Sequence, residues 1–153
     1  MPSTESSTII EAPAQRIWDY VSDFGNWEHF TTRYGLLSVK RQSFRLSEDC
    51  VAGENATVIV TSNGSSLPWT ITAWNPLQEI SLFTECCGWL KRYASAITIT
   101  IEHQTPLSAR LTLRYEWIPI NAAMSLLLVS DLMGRTDKWV KMMTEAIKSG
   151  STR

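Results

Sequence analysis

The chain of 153 residues is long enough for one domain with a substantial core, since 44% of its residues are apolar and 19% are charged. Fourteen basic and fifteen acidic residues give a net charge of −1, without the positive excess expected of a nucleic-acid-binding protein. Residues 1–8 form no apolar signal segment, and the longest apolar run, 122–133, is too short to span a bilayer. These features predict a single cytoplasmic domain over residues 1–153, without stable membrane insertion or a nucleic-acid partner.

Cysteine and histidine are too few and too scattered for a disulfide framework or a metal centre. Cys50, Cys86 and Cys87 form an odd set without a Cys-x-x-Cys spacing, so we expect reduced thiols. The two histidines, His29 and His103, lie far apart in the sequence. No phosphate-binding loop, dinucleotide fingerprint or nucleophile elbow is present, and we therefore predict neither a metal nor a cofactor.

The chain begins with a predicted strand followed by two short helices. The strand covers Ser6 to Glu11, and Pro13 then occupies a position that the first turn of a helix tolerates. Apolar residues at helical spacing over 17–21 predict the first helix. Trp27 and Phe30 predict a second one, with both aromatic side chains turned inward.

The middle of the chain is a succession of predicted strands. Asn63-Gly64 predicts a tight hairpin, because both residue types accept the positive φ angles of such a turn. Strict alternation over 93–102 and 109–117 predicts two strands, each with one buried and one solvated face. Four further strands are predicted over Gly35 to Arg41, Ala56 to Thr61, Trp69 to Trp74 and Glu79 to Thr84.

The last part of the chain is predicted to be one long helix over 121–148, with Asn121 as its cap and a kink at Gly134. Its apolar residues share one broad face. The fold class that follows is α+β: a curved seven-stranded antiparallel sheet, two short helices after strand 1, and a long C-terminal helix over the sheet. One helix cannot fill a wide curved sheet, so we expect an enclosed cavity on the order of a few hundred Å³.

Several short segments of the sequence resemble, at structural positions, those of a known superfamily. They are Ile10-Glu11-Ala12-Pro13-Ala14, Ile17-Trp18, Val21-Ser22-Asp23-Phe24, Asn26-Trp27 and Trp74-Asn75-Pro76. Together with the long closing helix they resemble the SRPBCC, or START-like, superfamily, which includes the birch-pollen-allergen-like proteins and the polyketide cyclase/dehydrase group. The resemblance implies the helix-grip fold and a lipid, sterol, hormone or polyketide ligand, with cyclisation or dehydration in some members. It implies no shared catalytic residue.

Two neighbouring strands supply candidate site residues on one predicted face. The alternation places Tyr93 and Ser95 on the same face as Tyr115 of the next strand. If this face meets the helix, the tyrosine hydroxyls enter an apolar space, where either backbone groups or a ligand bond them. The other residues of this face are Ile97, Ile99, Leu113 and Trp117.

The long helix carries two charges on its predicted apolar face. Asp131 and Arg135 lie one turn apart, between Leu128 and Trp139, at three- and four-residue spacing. Arg135 either anchors a polar or acidic end of a ligand, or the kink turns both charges to the mouth or to solvent. Two alternatives are likewise open for Glu85. Its carboxylate is either desolvated and acts as a general acid or base, or it lies at the end of a strand and faces water.

The sequence leaves three functions open. The first is binding, with possible cyclisation or dehydration, of a small aromatic or polyketide-like molecule by a monomer or homodimer. The second is a non-catalytic carrier of lipids or other hydrophobic metabolites, and the third is a cochaperone-like interaction module. The candidate catalytic residues are Glu85, Tyr93, Tyr115 and Arg135. The candidate ligand-binding residues are Trp69, Tyr93, Ser95, Ile97, Leu113, Tyr115, Trp117, Met124, Leu128, Asp131, Arg135, Trp139 and Met143.

Overall fold

The computed structural model describes the chain over residues 3–31, 33–34, 39–62, 64–87, 92–119 and 122–152. Within these ranges, side chains are described except at 33–34, 39–40, 86–87, 92–93, 118–119 and 122–136. The strands are β1 Ser3–Ile10, β2 Arg33–Tyr34, β3 Val39–Lys40, β4 Gln42–Leu46, β5 Thr57–Ser62, β6 Ser65–Asn75, β7 Glu79–Cys87, β8 Arg92–Thr105 and β9 Ser108–Pro119. The helices are α1 Ala14–Val21, α2 Trp27–Thr31 and α3 Ala122–Ser151.

Seven strands form one antiparallel sheet in the order β1-β9-β8-β7-β6-β5-β4, and β2 pairs with β3 separately. The first strand therefore lies beside the last, while the remaining neighbours follow one another along the chain. Together with two short helices after β1 and a long C-terminal helix, this arrangement confirms the predicted α+β fold. None of the described helices is long and apolar enough to cross a membrane.

Turn chemistry sets the register of the central hairpins. Ser62 pairs with Ser65, so the β5–β6 loop contains two residues, and Gly64 has the positive φ of 81° that this tight turn requires. After β6, the amide of Gln78 donates to the carbonyl oxygen of Asn75 at 2.9 Å. The predicted hairpin at Asn63-Gly64 and the predicted turn at Asn75-Pro76 are thus confirmed.

The two short helices bury an aromatic cluster against the sheet. Ile17, Trp18 and Val21 are the buried face of α1, and Trp27 and Phe30 are buried in α2, as their spacing predicts. A 3-10 turn over 24–26 joins the helices and is capped by the carboxylate of Asp23. Ring contacts with centroids 5.1–6.1 Å apart link Trp18 to Trp74, Phe24 to Trp27 and Trp74, and Trp27 to Phe30 and Phe44.

The C-terminal half of α3 closes the core. Its inward face buries Trp139, Val140, Met143 and Ile147, four of the apolar residues that pack between helix and sheet. The helix contacts β1 and β9 of the sheet, and also α1 and α2. Because α3 starts directly after β9 and reaches α1 at its other end, it runs along the edge of the sheet formed by β1 and β9.

Gly150 allows the end of α3 to approach α1 closely. A Cβ atom at Gly150 would overlap the ring of Tyr20, with Cε2 at 2.7 Å. Alanine normally favours a helix over glycine by about 1 kcal/mol, but overpacking costs about 1–3 kcal/mol. We therefore expect Gly150→Ala to lower the free energy of unfolding by about 1 kcal/mol in urea titrations. In a Tyr20→Ala background the same substitution should be neutral or stabilising; an equal loss in both backgrounds would contradict this account.

The sheet differs from the sequence-based prediction at its two edges. β1 begins at Ser3 rather than Ser6, since Ser3, Thr4 and Glu5 already pair with β9. β4, over Gln42–Leu46, was not predicted at all, because only Phe44 and Leu46 among its residues are apolar. Of the strand predicted over Gly35 to Arg41, the structure describes β3, and residues 35–38 lie outside the described ranges.

Candidate functional site

The face of the sheet that packs against α3, called the concave face below, includes alternating residues of β8 and β9. Ser95, Ile97 and Ile99 of β8 are buried on the same face as Leu113 and Tyr115 of β9, because directly opposed residues of an antiparallel pair project to the same side. The predicted grouping of these residues is therefore correct. Trp117 belongs to the same face, since it is directly opposed to Ser95.

Burial changes along the concave side of β9. Ala109, Leu111 and Leu113 have no exposed surface, whereas Tyr115 and Trp117 are partly exposed. The residue type changes at the same point: the alanine and leucines are small or aliphatic, whereas Tyr115 and Trp117 are aromatic and each carries a polar atom. The concave face is thus partly open to solvent near the Pro119 end of β9, and two aromatic side chains border that opening.

A pair of hydroxyls lies at the boundary between the packed and the open parts of this face. Ser95 Oγ and Tyr115 Oη are 3.2 Å apart, within hydrogen-bond distance. The Tyr115 ring meets Trp139 of α3 edge-on, with centroids 5.3 Å apart and an interplanar angle of 79°. Tyr115 is therefore held by β8 on one side and by the long helix on the other.

Thr4 is a buried hydroxyl residue that the sequence analysis did not single out. It is directly opposed to Tyr115 across the β1–β9 pair and is only 6% exposed. Its Oγ1 has no hydrogen-bond partner within the part of the chain that the structure describes. Only the register of β1 against β9 places Thr4 on this face. The sequence does not reveal that register, because β1 is largely polar and lacks apolar alternation.

Other candidate residues lie deeper in the fold. Trp69 is buried opposite Val58, and Met143 is fully buried in the core beneath α3. Thr84 is directly opposed to Ser95, but its hydroxyl donates to the carbonyl oxygen of Pro68 at 2.9 Å. The structure thus brings Ser95 and Tyr115 together, while Trp69 and Met143 belong to the core.

Glu85 does not fit the hypothesis of a desolvated acid or base. Its side chain is exposed, and it alternates along β7 with the buried side chains of Leu82 and Thr84. Because successive side chains of a strand point to opposite faces, Glu85 projects from the convex side of the sheet. The carboxylate is therefore remote from the concave face, and Glu85 is withdrawn as a catalytic candidate.

Part of the predicted site lies outside the described side chains. This holds for Tyr93, Met124, Leu128, Asp131 and Arg135, for Cys86 and Cys87, and for the enclosed cavity that these residues would help to line. Cys50 is a free cysteine. Among the described residues, no three His, Cys, Asp or Glu side chains are grouped so that they could hold a metal ion.

A second concavity lies at the opposite end of β8. This groove, of about 590 Å³, runs between the β6–β7 turn, β8 and the start of α1, and its walls include Leu77, Glu79, Glu102 and His103. A binding experiment must therefore distinguish between the opening beside Tyr115 and this groove.

Solved structures share this architecture at low sequence identity. The ZhuI aromatase/cyclase from Streptomyces sp. R1128 superposes with a TM-score of 0.70 at 14% identity, covering 99% of this chain and 94% of that one. Protein MLL2253 from Mesorhizobium loti gives 0.66 at 12% identity, with 97% and 95% covered. The di-domain ARO/CYC BexL of the BE-7585A biosynthetic pathway gives 0.62 at 14%, with 97% of this chain and 47% of that one covered.

At these identities the structural matches establish the fold alone. No curated protein matches the sequence significantly. A family model does, over residues 1–146, which is nearly the whole chain, and its description is polyketide cyclase/dehydrase and lipid transport. The helix-grip architecture and this match agree with the SRPBCC resemblance of the sequence, and the chain belongs to the polyketide cyclase/dehydrase and lipid transport family.

Proposed function

We propose that the chain binds a small, largely apolar molecule of aromatic or polyketide-like structure on the concave face of its sheet. The observation that carries the proposal is the change along β9, from the fully buried Leu113 to the partly exposed Tyr115 and Trp117. Aromatic side chains beside an opening in an apolar concave face are typical of sites for flat ligands. The family description, which names polyketide enzymes and lipid transport, supports the same ligand class.

The proposed role is conversion of that molecule by cyclisation or dehydration, and transport without chemistry is the second candidate. Both appear in the description of the family. Native mass spectrometry of the purified protein tests the two together. After incubation with a poly-β-ketone, release of a product lighter by one water would support dehydration. Release of a compound of equal mass but altered chromatographic retention would support cyclisation by aldol addition, and release of a compound unchanged in both would support a carrier. Absence of any bound small molecule, both as purified and after incubation, would contradict the proposal.

Trp117→Ala tests where the ligand binds. Removing the indole should weaken the binding of fluorene, a flat aromatic probe, by about 10-fold, because a buried aromatic contact contributes about 1–3 kcal/mol. Equilibrium dialysis gives the dissociation constants. Phe83→Ala is the matched control on the convex face, where the ring is also partly exposed.

A further control addresses the groove at the other end of β8. Leu77 has a positive φ of 67°, which asparagine adopts readily, so Leu77→Asn changes the groove wall without backbone strain. We expect fluorene binding to be unchanged in this variant. Weaker binding in Leu77→Asn, with no effect of Trp117→Ala, would place the ligand in the groove and contradict the site proposed on the concave face.

A further inference from the structure

Exposed aliphatic side chains are concentrated at one end of the sheet, called the turn end below. It comprises the β4–β5 loop, the β6–β7 and β8–β9 turns, and the end of β1. Within the described part of the chain, the well-exposed large apolar residues are Ile9, Val51, Leu77, Leu107 and Met142, and all except Met142 lie at the turn end. Leu107 is 74% exposed and Val51 is 88% exposed. Singly scattered apolar side chains are normal on a surface, whereas a group of them marks an interaction site.

The two tight turns at the turn end present the same dipeptide. The β6–β7 turn contains Pro76-Leu77, and the β8–β9 turn contains Pro106-Leu107. Leu77 has a φ of 67°, which leucine rarely adopts and which glycine or asparagine adopts more readily. A leucine is therefore present where the backbone favours a smaller or more polar residue, which indicates a role for its side chain.

The turns hold their leucines at a separation that fits a helix. In the sheet order, the β8–β9 turn and the β6–β7 turn are two strand spacings apart, which is about 10 Å. Residues seven positions apart on one face of an α-helix are also about 10 Å apart. The groove of about 590 Å³ is lined by the β6–β7 turn and by the part of β8 that leads to the other turn. An apolar helix face can thus contact both leucines while it covers the groove.

The turn end is also acidic. Its connecting segments, 11–13, 47–56, 76–78 and 106–107, contain no lysine or arginine, and their carboxylates are Glu11, Glu48, Asp49 and Glu54. Glu79 and Glu102 add two more carboxylates in the walls of the groove. None of these groups forms an ion pair with another residue that the structure describes. This surface repels polyanions such as nucleic acids and anionic membranes, and it attracts a partner rich in lysine or arginine.

We infer that the turn end is a docking surface for a basic amphipathic helix of a partner protein. The apolar stripe of that helix covers Leu77 and Leu107, and its basic side chains contact Glu79 and Glu102. β9 starts at the turn end and finishes at Pro119, where the opening beside Tyr115 lies. The docking surface is therefore at the opposite end of the sheet from the proposed ligand and is independent of it.

A labelled peptide of leucine and lysine, with its leucines on one helical face, tests the surface by fluorescence anisotropy. Leu77→Asn and Leu107→Asn should each weaken its binding by about 3- to 10-fold, because each removes an apolar contact. Glu102→Gln should weaken binding by about 2-fold at low salt and leave it unchanged at high salt, as expected of an exposed ion pair. Circular dichroism checks that each variant is folded.

Matched control variants make the same changes outside the turn end. Met142→Asn replaces an exposed apolar side chain on α3, and Glu85→Gln neutralises an exposed carboxylate near the other end of β7. Peptide binding should be unchanged in both. A peptide with glutamate in place of each lysine should not bind, because its charge has the same sign as that of the surface.

Several outcomes would overturn the inference. One is equal affinity of the unmodified protein and of the Leu77→Asn, Leu107→Asn double variant for the basic peptide. Another is dimerisation in analytical ultracentrifugation that Leu107→Asn abolishes, without peptide binding, which would assign the surface to a second copy of the chain. Sedimentation with phosphatidylcholine vesicles that Leu107→Asn abolishes would assign it to a lipid surface. In each case fluorene binding near Tyr115 is unaffected, so the proposed function stands or fails separately.

Discussion

Replacing Trp27 by alanine should lower the free energy of unfolding by about 3–5 kcal/mol, the usual cost of removing a large buried aromatic side chain. Trp27 has no exposed surface and contacts Phe24, Phe30 and Phe44, so it joins α2 and the 3-10 turn before it to β4. Its indole N–H also donates to the carbonyl oxygen of Val21 at 2.7 Å. Urea denaturation followed by far-ultraviolet circular dichroism measures the change.

Two further variants apportion this loss. Trp27→Phe keeps a ring in the cluster but removes the hydrogen bond to Val21, and should cost about 1–3 kcal/mol because a buried acceptor is left without its donor. Trp117→Ala removes the same side chain from a partly exposed position and should cost less than Trp27→Ala. Equal costs for Trp27→Ala and Trp117→Ala would show that the aromatic cluster does not hold the helices to the sheet.

Met143→Asp should prevent stable folding, whereas Met142→Asp should have little effect. The two residues are adjacent on α3, but Met143 has no exposed surface and Met142 is 51% exposed. An unpaired carboxylate in the apolar space between helix and sheet costs several kcal/mol, about as much as a small domain's whole stability. At the exposed position the same substitution costs only the difference in helix propensity, about 0.5 kcal/mol.

Thermal unfolding of the two variants tests whether the buried face of α3 holds this helix to the sheet. The Met142→Asp melting temperature should lie within a few degrees of that of the unmodified protein, while Met143→Asp should show no cooperative transition. Similar melting temperatures would mean that the C-terminal half of α3 is not held by its buried face. Because both substitutions change the net charge equally, the comparison does not depend on charge.

Much of the fold follows from local signals in the sequence. Strict alternation in β8 and β9 identifies the buried face correctly, because Ile97, Ile99, Leu111 and Leu113 all face the same core. The turn at Gly64 requires a positive φ, so its composition alone indicates the hairpin. The apolar stripe of α1 likewise identifies the residues that this helix buries, and so does the prediction for Trp139 and Met143 in the described half of α3.

The features that the sequence does not reveal depend on pairing between distant segments. Thr4 is one of several hydroxyl residues in β1, and only its register against Tyr115 places it on the face of the sheet that α3 covers. β4 pairs with β5 at the other edge of the sheet and carries too few apolar residues to be recognised alone. Glu85 was a candidate because its neighbours are apolar, although the alternation through Thr84 already assigned it to the convex face.

The pairing of the first strand with the last has a consequence for how the chain folds. Ser7 and Thr112, which share a hydrogen bond, are separated by 105 positions. Closing so long a loop carries an entropic cost before any contact compensates it, and high contact order slows folding. During synthesis β1 emerges before β9 and has no neighbour in the sheet until β9 is complete. The serine and threonine side chains of β1 keep the unpaired strand hydrated. This hydration protects the nascent chain against aggregation through the unpaired edge of the strand.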